Sequence, residues 1–149
     1  NKRLNRANDG GTIRRTTDVF QLATAVLFQN PIQNFALAPN NLTDAPAVCI
    51  DFMKQVPVTW DETRFIDGYP GRYVVLARRH GDVWYVAAAN ATAEPLVLEL
   101  PLPMLPAGTT VSVYLDDKKL QPQRKEQKIK SGGTLKLTLQ PMGGAVIVK

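Results

Sequence analysis

The spacing of apolar residues changes once along this chain, and the change predicts two kinds of structure. In residues 19–27 apolar side chains recur every three or four positions, the period of an amphipathic helix. We expect this helix to begin at residues 16–18, Thr-Thr-Asp, where a hydroxyl can cap it, and to end at residues 30–31, Asn-Pro. A further helical turn is expected at residues 32–36, and a second helix at residues 46–55.

Beyond Pro57 the period falls from about 3.6 residues to two, which is the period of β-strands. Turns that contain Gly, Pro or Asp separate the apolar runs. The predicted strands are residues 73–79, 83–90, 96–100, 111–115, 135–139 and 145–148. No helix long enough for a crossover connection lies between them, so the predicted fold is mainly β. We expect an antiparallel β-sandwich of Greek-key type in residues 57–149, preceded by two short helices in residues 1–56.

The two helices pose a packing problem, because a helical pair of about 40 residues cannot bury its own apolar face. The pair must pack either on the sandwich or on structure outside this chain. We favour the second alternative, since residues 1–16 are polar and have no core of their own. The chain also opens on Asn1 rather than Met, so we expect a fragment of a longer protein.

Composition narrows the classes of function. The hydrophobic fraction of 44% and charged fraction of 21% fit a globular domain, and no apolar run approaches the roughly 18 residues of a membrane span. The net charge of +5 comes from separated basic segments without interleaved aromatic residues, so we expect neither a nucleic-acid nor a membrane partner. The single cysteine, Cys49, excludes an internal disulfide and a cysteine-based zinc site. No metal or cofactor is expected in this chain.

Two adjacent carboxylates, Asp61 and Glu62, lie beside Trp60 and resemble a candidate catalytic pair. Glycoside cleavage needs two carboxyl groups on either side of one bond, about 5 to 5.5 Å apart for retention and about 6.5 to 9.5 Å apart for inversion. In an extended backbone neighbouring side chains leave in opposite directions, so these two groups should not converge on one bond. We therefore expect no catalytic residue here.

A structural role is expected for the same stretch. Trp60 is a large side chain at the entrance to the sandwich. Asp61, Glu62 and Thr63 are expected to fix the joint between the two parts of the chain, or to pair with an arginine. The candidate arginines are Arg78 and Arg79.

Three aromatic residues could stack on a sugar ring: Trp84, Tyr85 and Tyr69. Strand geometry sends Trp84 and Tyr85 to opposite faces, so one should lie in the core and the other should be more exposed. Plain packing is the commoner role for such residues, and we prefer it to sugar binding.

Residues 56–90, whose sequence is VPVTWDETRFIDGYPGRYVVLARRHGDVWYVAAAN, resemble the start of the C-terminal domain of glycoside hydrolase family 97. The resemblance rests on the Trp-Asp-Glu-Thr block, the Ala-Arg-Arg segment and the Trp-Tyr-Val strand. Residues 16–39 are similar to the family's last barrel helix and the segment after it, with Phe20 where the usual pattern has His. Members are retaining or inverting α-glycosidases, chiefly α-glucosidases and α-galactosidases of Bacteroidetes and similar bacteria.

The resemblance implies an architecture of three domains: an N-terminal β-supersandwich, a catalytic (β/α)8 barrel and a C-terminal β-sandwich. This chain would hold the end of the barrel and the last domain, and its partners would be the other domains of the parent. The family's catalytic carboxylates and Ca²⁺-binding acids match no position here. The family also implies a periplasmic or secreted location.

Three hypotheses follow. In the first, the chain is a non-catalytic C-terminal domain with a packing or oligomerisation role, inactive alone. In the second, it is a carbohydrate-binding module that uses exposed aromatic residues. In the third, it is a self-association domain in which the apolar helix faces of residues 19–27 and 48–53 pair between copies as a homo-oligomer.

Overall fold

The computed structural model describes residues 14–149, so the polar segment expected at residues 1–16 lies mostly outside the described residues. Within residues 14–149 the chain forms helices first and strands afterwards. The helices are α1 (Asp18–Leu27), α2 (Asn41–Asp44) and α3 (Ala47–Gln55), and the strands are β1 (Glu62–Tyr69), β2 (Tyr73–His80), β3 (Val83–Asn90), β4 (Leu96–Pro101), β5 (Thr110–Asp116), β6 (Pro122–Lys128), β7 (Thr134–Leu139) and β8 (Gly144–Val148).

The strands form two antiparallel sheets that pack face to face. The large sheet has the order β1-β2-β3-β8-β5-β6, and the small sheet consists of β4 and β7. The core between them is aliphatic apart from Trp84, and its fully buried members include Val75, Leu100 and Val113. The prediction of a mainly β, antiparallel sandwich preceded by short helices is confirmed.

The helices form a third layer on the outer face of the large sheet. Helix α1 packs across β3 and β8, and α3 packs beside it, with Phe52 edge-on to Tyr114 at a centroid distance of 5.0 Å. Val19 and Val26 of α1 are completely buried there. The expectation that these helices need structure outside the chain is therefore wrong, and so is the expectation that the helix faces of residues 19–27 and 48–53 are exposed for pairing between copies. The outer face of the sheet is itself apolar, and it covers them.

Helix α1 begins where the sequence predicts. The hydroxyl of Thr17 accepts a hydrogen bond from the backbone N–H of Phe20 at 3.1 Å, which caps the first turn. The helical turn expected at residues 32–36 is absent from the structure. Pro31 cannot donate a backbone hydrogen bond, and Ile32 is exposed, so no buried face stabilises a turn there.

Two strands, β1 and β6, are not among the six that the sequence predicts. Strand β6 pairs with β5 along its whole length, from Thr110 opposite Lys128 to Asp116 opposite Pro122. Its sequence, PQRKEQK, has no apolar alternation because it is an edge strand with little to bury. Backbone pairing with β5, rather than its own side chains, makes it a strand.

Candidate functional site

Arg79 brings together the two carboxylates that the sequence analysis singled out. Its Nε lies 3.3 Å from Oε2 of Glu62, and its Nη1 lies 3.8 Å from Oδ2 of Asp61. The expected divergence of the two acids is wrong, because the chain bends at Asp61 and β1 begins only at Glu62. Strand alternation therefore does not apply across this pair. Both acids meet one guanidinium on the surface.

The environment of these carboxylates suits ion pairing rather than acid catalysis. Nε of Arg64 donates to Glu62 at 2.6 Å, and this bond, with that from Arg79, lowers the pKa of Glu62. A general acid near neutral pH needs a raised pKa instead. Asp61 accepts a hydrogen bond from the backbone N–H of Gly81 at 2.7 Å. The network ties β1 to the turn between β2 and β3.

The neighbouring arginine, Arg78, serves a different contact. Its side chain is buried and 2% exposed, and its Nη1 donates to the backbone carbonyl of Phe28 at 3.0 Å, just past the end of α1. Its guanidinium also lies 5.7 Å from the centre of the Trp60 ring, which packs edge-on against Tyr85. Burial lowers the pKa of Arg78. A cation at a helix C-terminus is favourable, so this contact positions α1 on the sheet.

Thr63, expected to belong to the joint, lies opposite Arg78 in the pairing of β1 with β2 and is exposed. It therefore shares the outer face of the sheet with the Arg78 side chain. It is the last residue of the Trp-Asp-Glu-Thr block, and β1 continues from it to the exposed end of the strand.

The three candidate sugar-stacking residues do not share a site. Trp84 faces the inner core and Tyr85 faces the helices, and both are buried. The expectation that one of the pair would be more exposed is wrong, because the helix layer covers the second face. Tyr69 is 62% exposed at the end of β1, with the guanidinium of Arg72 5.9 Å from its ring. Tyr69 alone of the three presents its ring to solvent.

A buried acid at the end of β5 is a further site of interest. Asp116 is 3% exposed, and its Oδ2 accepts hydrogen bonds from the hydroxyl of Thr17 at 2.7 Å and the backbone N–H of Gly144 at 3.1 Å. Burial raises the pKa of Asp116, although these bonds partly offset the effect. A Cβ added at Gly144 would lie 2.7 Å from the Cα of Phe20, so the glycine permits the close approach of α1. The adjacent glycines at residues 143–144 were the available sequence signal.

An exposed apolar area on the outer face was also missed. Phe65 lies opposite Leu76 in the pairing of β1 with β2, two residues along from the Thr63–Arg78 pair and therefore on the same face. The Arg78 side chain reaches Phe28 from the same face. Phe28 and Phe65 are 65% and 68% exposed, and Leu76 is half-buried. We call these three residues the Phe28–Phe65 surface.

Residues 14–149 bring together no group of three or more His, Cys, Asp or Glu side chains with metal-binding geometry. Cys49 is buried, and burial raises the pKa of its thiol to about 12, so it stays protonated and unreactive. Among the described residues, no helix has the length and apolar character needed to cross a membrane.

Residues 59–148 match the family model described as "Glycosyl-hydrolase 97 C-terminal, oligomerisation". The chain belongs to the glycosyl-hydrolase 97 family. It is 33% identical over 128 residues to the "Probable retaining alpha-galactosidase" of Streptomyces bingchenggensis. This match covers 86% of this chain and 20% of that protein. It is also 42% identical over 66 residues to the "Retaining alpha-galactosidase" of Bacteroides thetaiotaomicron, which covers 44% of this chain and 10% of that protein.

Solved structures agree with this membership in the glycosyl-hydrolase 97 family. The crystal structure of a β-arabinopyranosidase matches all of this chain and 24% of its own, at 67% identity and a TM-score of 0.92. A glycoside hydrolase family 97 enzyme from Pseudoalteromonas sp. strain K8, in complex with acarbose, matches 91% of this chain and 23% of its own, at 27% identity and a TM-score of 0.80.

The glycosyl-hydrolase 97 chain therefore spans a fifth or less of the length of the curated relatives that it matches. The matched part is the C-terminal oligomerisation domain of the family.

Proposed function

We propose that this chain is the non-catalytic C-terminal domain of a glycosidase and that it joins copies of the enzyme through the Phe28–Phe65 surface. The family description of the domain as an oligomerisation module supports the role. The observation that carries the choice of surface is the exposure of Phe28 and Phe65 on a face where α1 and α3 cover the buried apolar cluster. Exposed apolar patches of this kind are typical of interaction sites.

The geometry of the surface suits contact between identical copies. The side chain of Arg78, the cation between Phe28 and Phe65, is buried and donates to backbone carbonyls at the end of α1. Thr63, beside Phe65, is uncharged, so the centre of the surface offers little charge repulsion to a second copy. A two-fold contact places the same patch on both subunits, and phenylalanines at its centre fit the aromatic character of interface cores.

Sedimentation equilibrium of the 149-residue chain tests this proposal. We expect a reversible oligomer that the Phe65→Arg substitution converts to monomer, because a buried, unpaired cation is costly. Val97→Arg is the matched control: Val97 is 57% exposed, but it lies on the small sheet in the opposite layer. A wild-type chain that stays monomeric at high micromolar concentration would refute the proposal, as would an oligomer that Val97→Arg disrupts equally.

The absence of a catalytic role rests on how Asp61 and Glu62 are engaged. Both lie within ion-pair distance of Arg79, and the arginine contacts keep Glu62 ionised. Incubation of the chain with aryl α-galactosides, α-glucosides and β-arabinopyranosides should therefore give no turnover above background. Turnover that disappears in an Asp61→Asn or Glu62→Gln chain would contradict this assignment.

For the parent enzyme we propose hydrolysis of α-galactosides or β-arabinopyranosides ahead of α-glucosides. Support comes from the relatives named α-galactosidase and from the β-arabinopyranosidase that is 67% identical over this whole chain. A β-L-arabinopyranoside has the ring configuration of an α-D-galactopyranoside without its hydroxymethyl group, so one pocket design can serve both. Comparison of kcat/KM for the aryl α-galactoside, β-arabinopyranoside and α-glucoside in the full-length enzyme tests the choice, and a preference for the α-glucoside would overturn it.

The remaining expectations for the parent are also proposals. The apolar side chains exposed between α1 and α3, Ile32 and Leu42 among them, would pack on the preceding barrel. The catalytic region would bind Ca²⁺, and the enzyme would be periplasmic or secreted. Loss of activity in a chelator, restored by Ca²⁺, and cell fractionation of the parent test the last two points.

Carbohydrate binding is a second candidate function, favoured by a single observation. Tyr69 exposes most of its ring at the end of β1, and a flat aromatic ring can stack on a sugar. Affinity electrophoresis in galactomannan gels tests this role. Retarded migration that Tyr69→Ala abolishes would support it, and unretarded migration of the wild-type chain would exclude it.

A further inference from the structure

A groove on the side of the sandwich farthest from β1 carries a concentrated positive charge. It has a volume of about 560 Å³ and lies between the β5–β6 hairpin and strand β7. The small sheet has two strands against six, so the inner face of edge strand β6 extends beyond it. Four lysines line the groove: Lys118, Lys119, Lys125 and Lys136. Its volume is in the range of small-molecule binding sites.

The acidic residues around the groove offset only part of this charge. Asp117 lines the groove, but its Oδ1 already accepts the backbone N–H groups of Lys119 and Gln121. Asp116 directs Oδ2 away, to Thr17 and Gly144. In the described part of the chain, none of the four lysines comes within ion-pair distance of a carboxylate.

One further acid lies near the rim. Glu99 of β4 is the register partner of Lys136 of β7, without an ion pair between them. Four cations thus face three carboxylates, those of Asp116, Asp117 and Glu99. The groove has a net positive charge, so an anionic ligand would supply the missing partners.

The polar side chains between the lysines indicate what else the ligand carries. Gln123 and Gln127 flank Lys125 on the same face of β6, because alternate residues of a strand share a face. Both glutamines are half-buried, and amide side chains can donate to and accept from hydroxyl groups. None of the described residues that line the groove is aromatic, so they offer a neutral sugar no ring on which to stack.

We propose that this groove binds an oligosaccharide that carries carboxylate groups. The lysines would pair with the carboxylates, and the glutamine amides would bind the sugar hydroxyls. The choice of a carbohydrate, rather than another anion, rests on the proposed function as part of a glycosidase. The groove is separate from the candidate sugar-stacking residue Tyr69. Tyr69 lies on β1, at the opposite edge of the large sheet, and offers an aromatic ring rather than charged groups.

Isothermal titration calorimetry with tetragalacturonate, against a neutral galactotetraose as comparison, tests the proposal. We expect the chain to bind the acidic probe, with affinity that falls as salt rises, and to bind the neutral one at least tenfold more weakly. The double substitution Lys125→Gln and Lys136→Gln should weaken binding of the acidic probe about tenfold or more. The control is Lys54→Gln with Lys149→Gln, which removes the same charge from exposed positions outside the groove.

Three results would overturn the proposal: no binding of tetragalacturonate at low salt, equal loss in the control variant, or equal affinity for dextran sulfate. The last two would indicate unspecific attraction to any polyanion.

The two proposals can fail separately. The Lys125→Gln and Lys136→Gln chain should keep the oligomeric state of the wild type, because these residues lie far from the Phe28–Phe65 surface along the sheet order. The Phe65→Arg chain should keep its affinity for tetragalacturonate. Sedimentation and calorimetry on the same samples therefore separate the two functions.

Discussion

The two faces of the large sheet are both covered, but by different chemistry. The inner face packs on β4 and β7 through aliphatic side chains such as Leu98, Leu100 and Leu137. The outer face packs on the helices through apolar residues too, but the contact also contains Arg78 and Asp116, both buried. The inner interface is stabilised by close packing of apolar side chains. The outer interface also contains charged side chains that form directed hydrogen bonds.

The two buried charges of the outer interface lie at opposite ends of α1. Asp116 of β5 accepts the hydroxyl of Thr17 at the N-terminus of the helix, and Arg78 of β2 donates to carbonyls at its C-terminus. Each charge is opposite in sign to the partial charge of the helix end that it contacts, which is the favourable arrangement. The sheet therefore fixes the position of α1 along its axis, which apolar contacts alone would leave free to slide.

Truncation in the inner core should produce the largest effect. Leu100 is completely buried between the sheets, and Leu100→Ala should lower the free energy of unfolding by about 2–5 kcal/mol through lost burial and a cavity. Urea unfolding measures this. Leu100→Met keeps most of the volume and should cost less than about 1.5 kcal/mol. Equal losses in the two variants would show that volume does not govern this interface.

Loss of the cation at the end of α1 should have the next largest effect. Arg78→Met leaves the carbonyls of Leu27 and Phe28 without their charged donor, so we expect a loss of about 1.5–3 kcal/mol. Hydrogen exchange should rise in α1 more than in the strands, since the contact is local. Arg79→Met is the matched control and should change little, because exposed ion pairs contribute little. A larger loss in Arg79→Met would reverse our ranking of the two arginines.

Whether one face or both faces of a strand are covered determines which pattern the strand leaves in the sequence. Strands with one covered face, such as β4 and β7, alternate regularly and were predicted almost to the residue. Strand β3 is buried on both faces, and Trp84 and Tyr85 are both covered. Its continuous apolar run is typical of a strand between two layers, and it was the signal that the helices pack on this sheet.

Three features were beyond single-sequence reasoning for physical reasons. Strand β6 is made by its pairing with β5, not by its own polar residues. The contact of Thr17 with Asp116 joins residues 99 positions apart, so no local pattern records it. The convergence of Asp61 and Glu62 on Arg79 depends on where the strand begins, and element boundaries are poorly determined by sequence.

Removal of the hydroxyl at the start of α1 should have a moderate effect. Thr17→Ala deletes the N-cap of the helix and the donor to Asp116, so we expect a loss of about 0.5–2 kcal/mol. Thr16→Ala is the control: its hydroxyl accepts from the exposed Gln21 side chain, and its removal should be nearly neutral. Thermal unfolding of both variants checks the difference, and equal shifts in Tm would remove the case for a directed contact.

The smallest effect is a dependence on pH at the same contact. Burial raises the pKa of Asp116 in the folded chain above its value in the unfolded chain, and nearby Asp18 raises it further. The folded state therefore binds the proton more tightly, so ionised Asp116 lowers the free energy of unfolding at pH above the folded pKa. This cost fades as the pH falls through the folded pKa and is gone below the unfolded value.

Asp116→Asn isolates that cost, because its amide oxygen can still accept from Thr17 and Gly144 but carries no charge. We expect the variant to be slightly more stable than the wild type at neutral pH, with an advantage that shrinks on acidification. Urea unfolding of both chains across the acidic range measures the difference. A difference that is constant with pH would mean that the helix end fully offsets the burial penalty. A difference that grows as the pH falls would mean that the helix end stabilises the ionised carboxylate more than burial penalises it. In that case the buried charge would stabilise the outer interface. We expect instead that Asp116 fixes the position of α1 and that its ionised form lowers the free energy of unfolding.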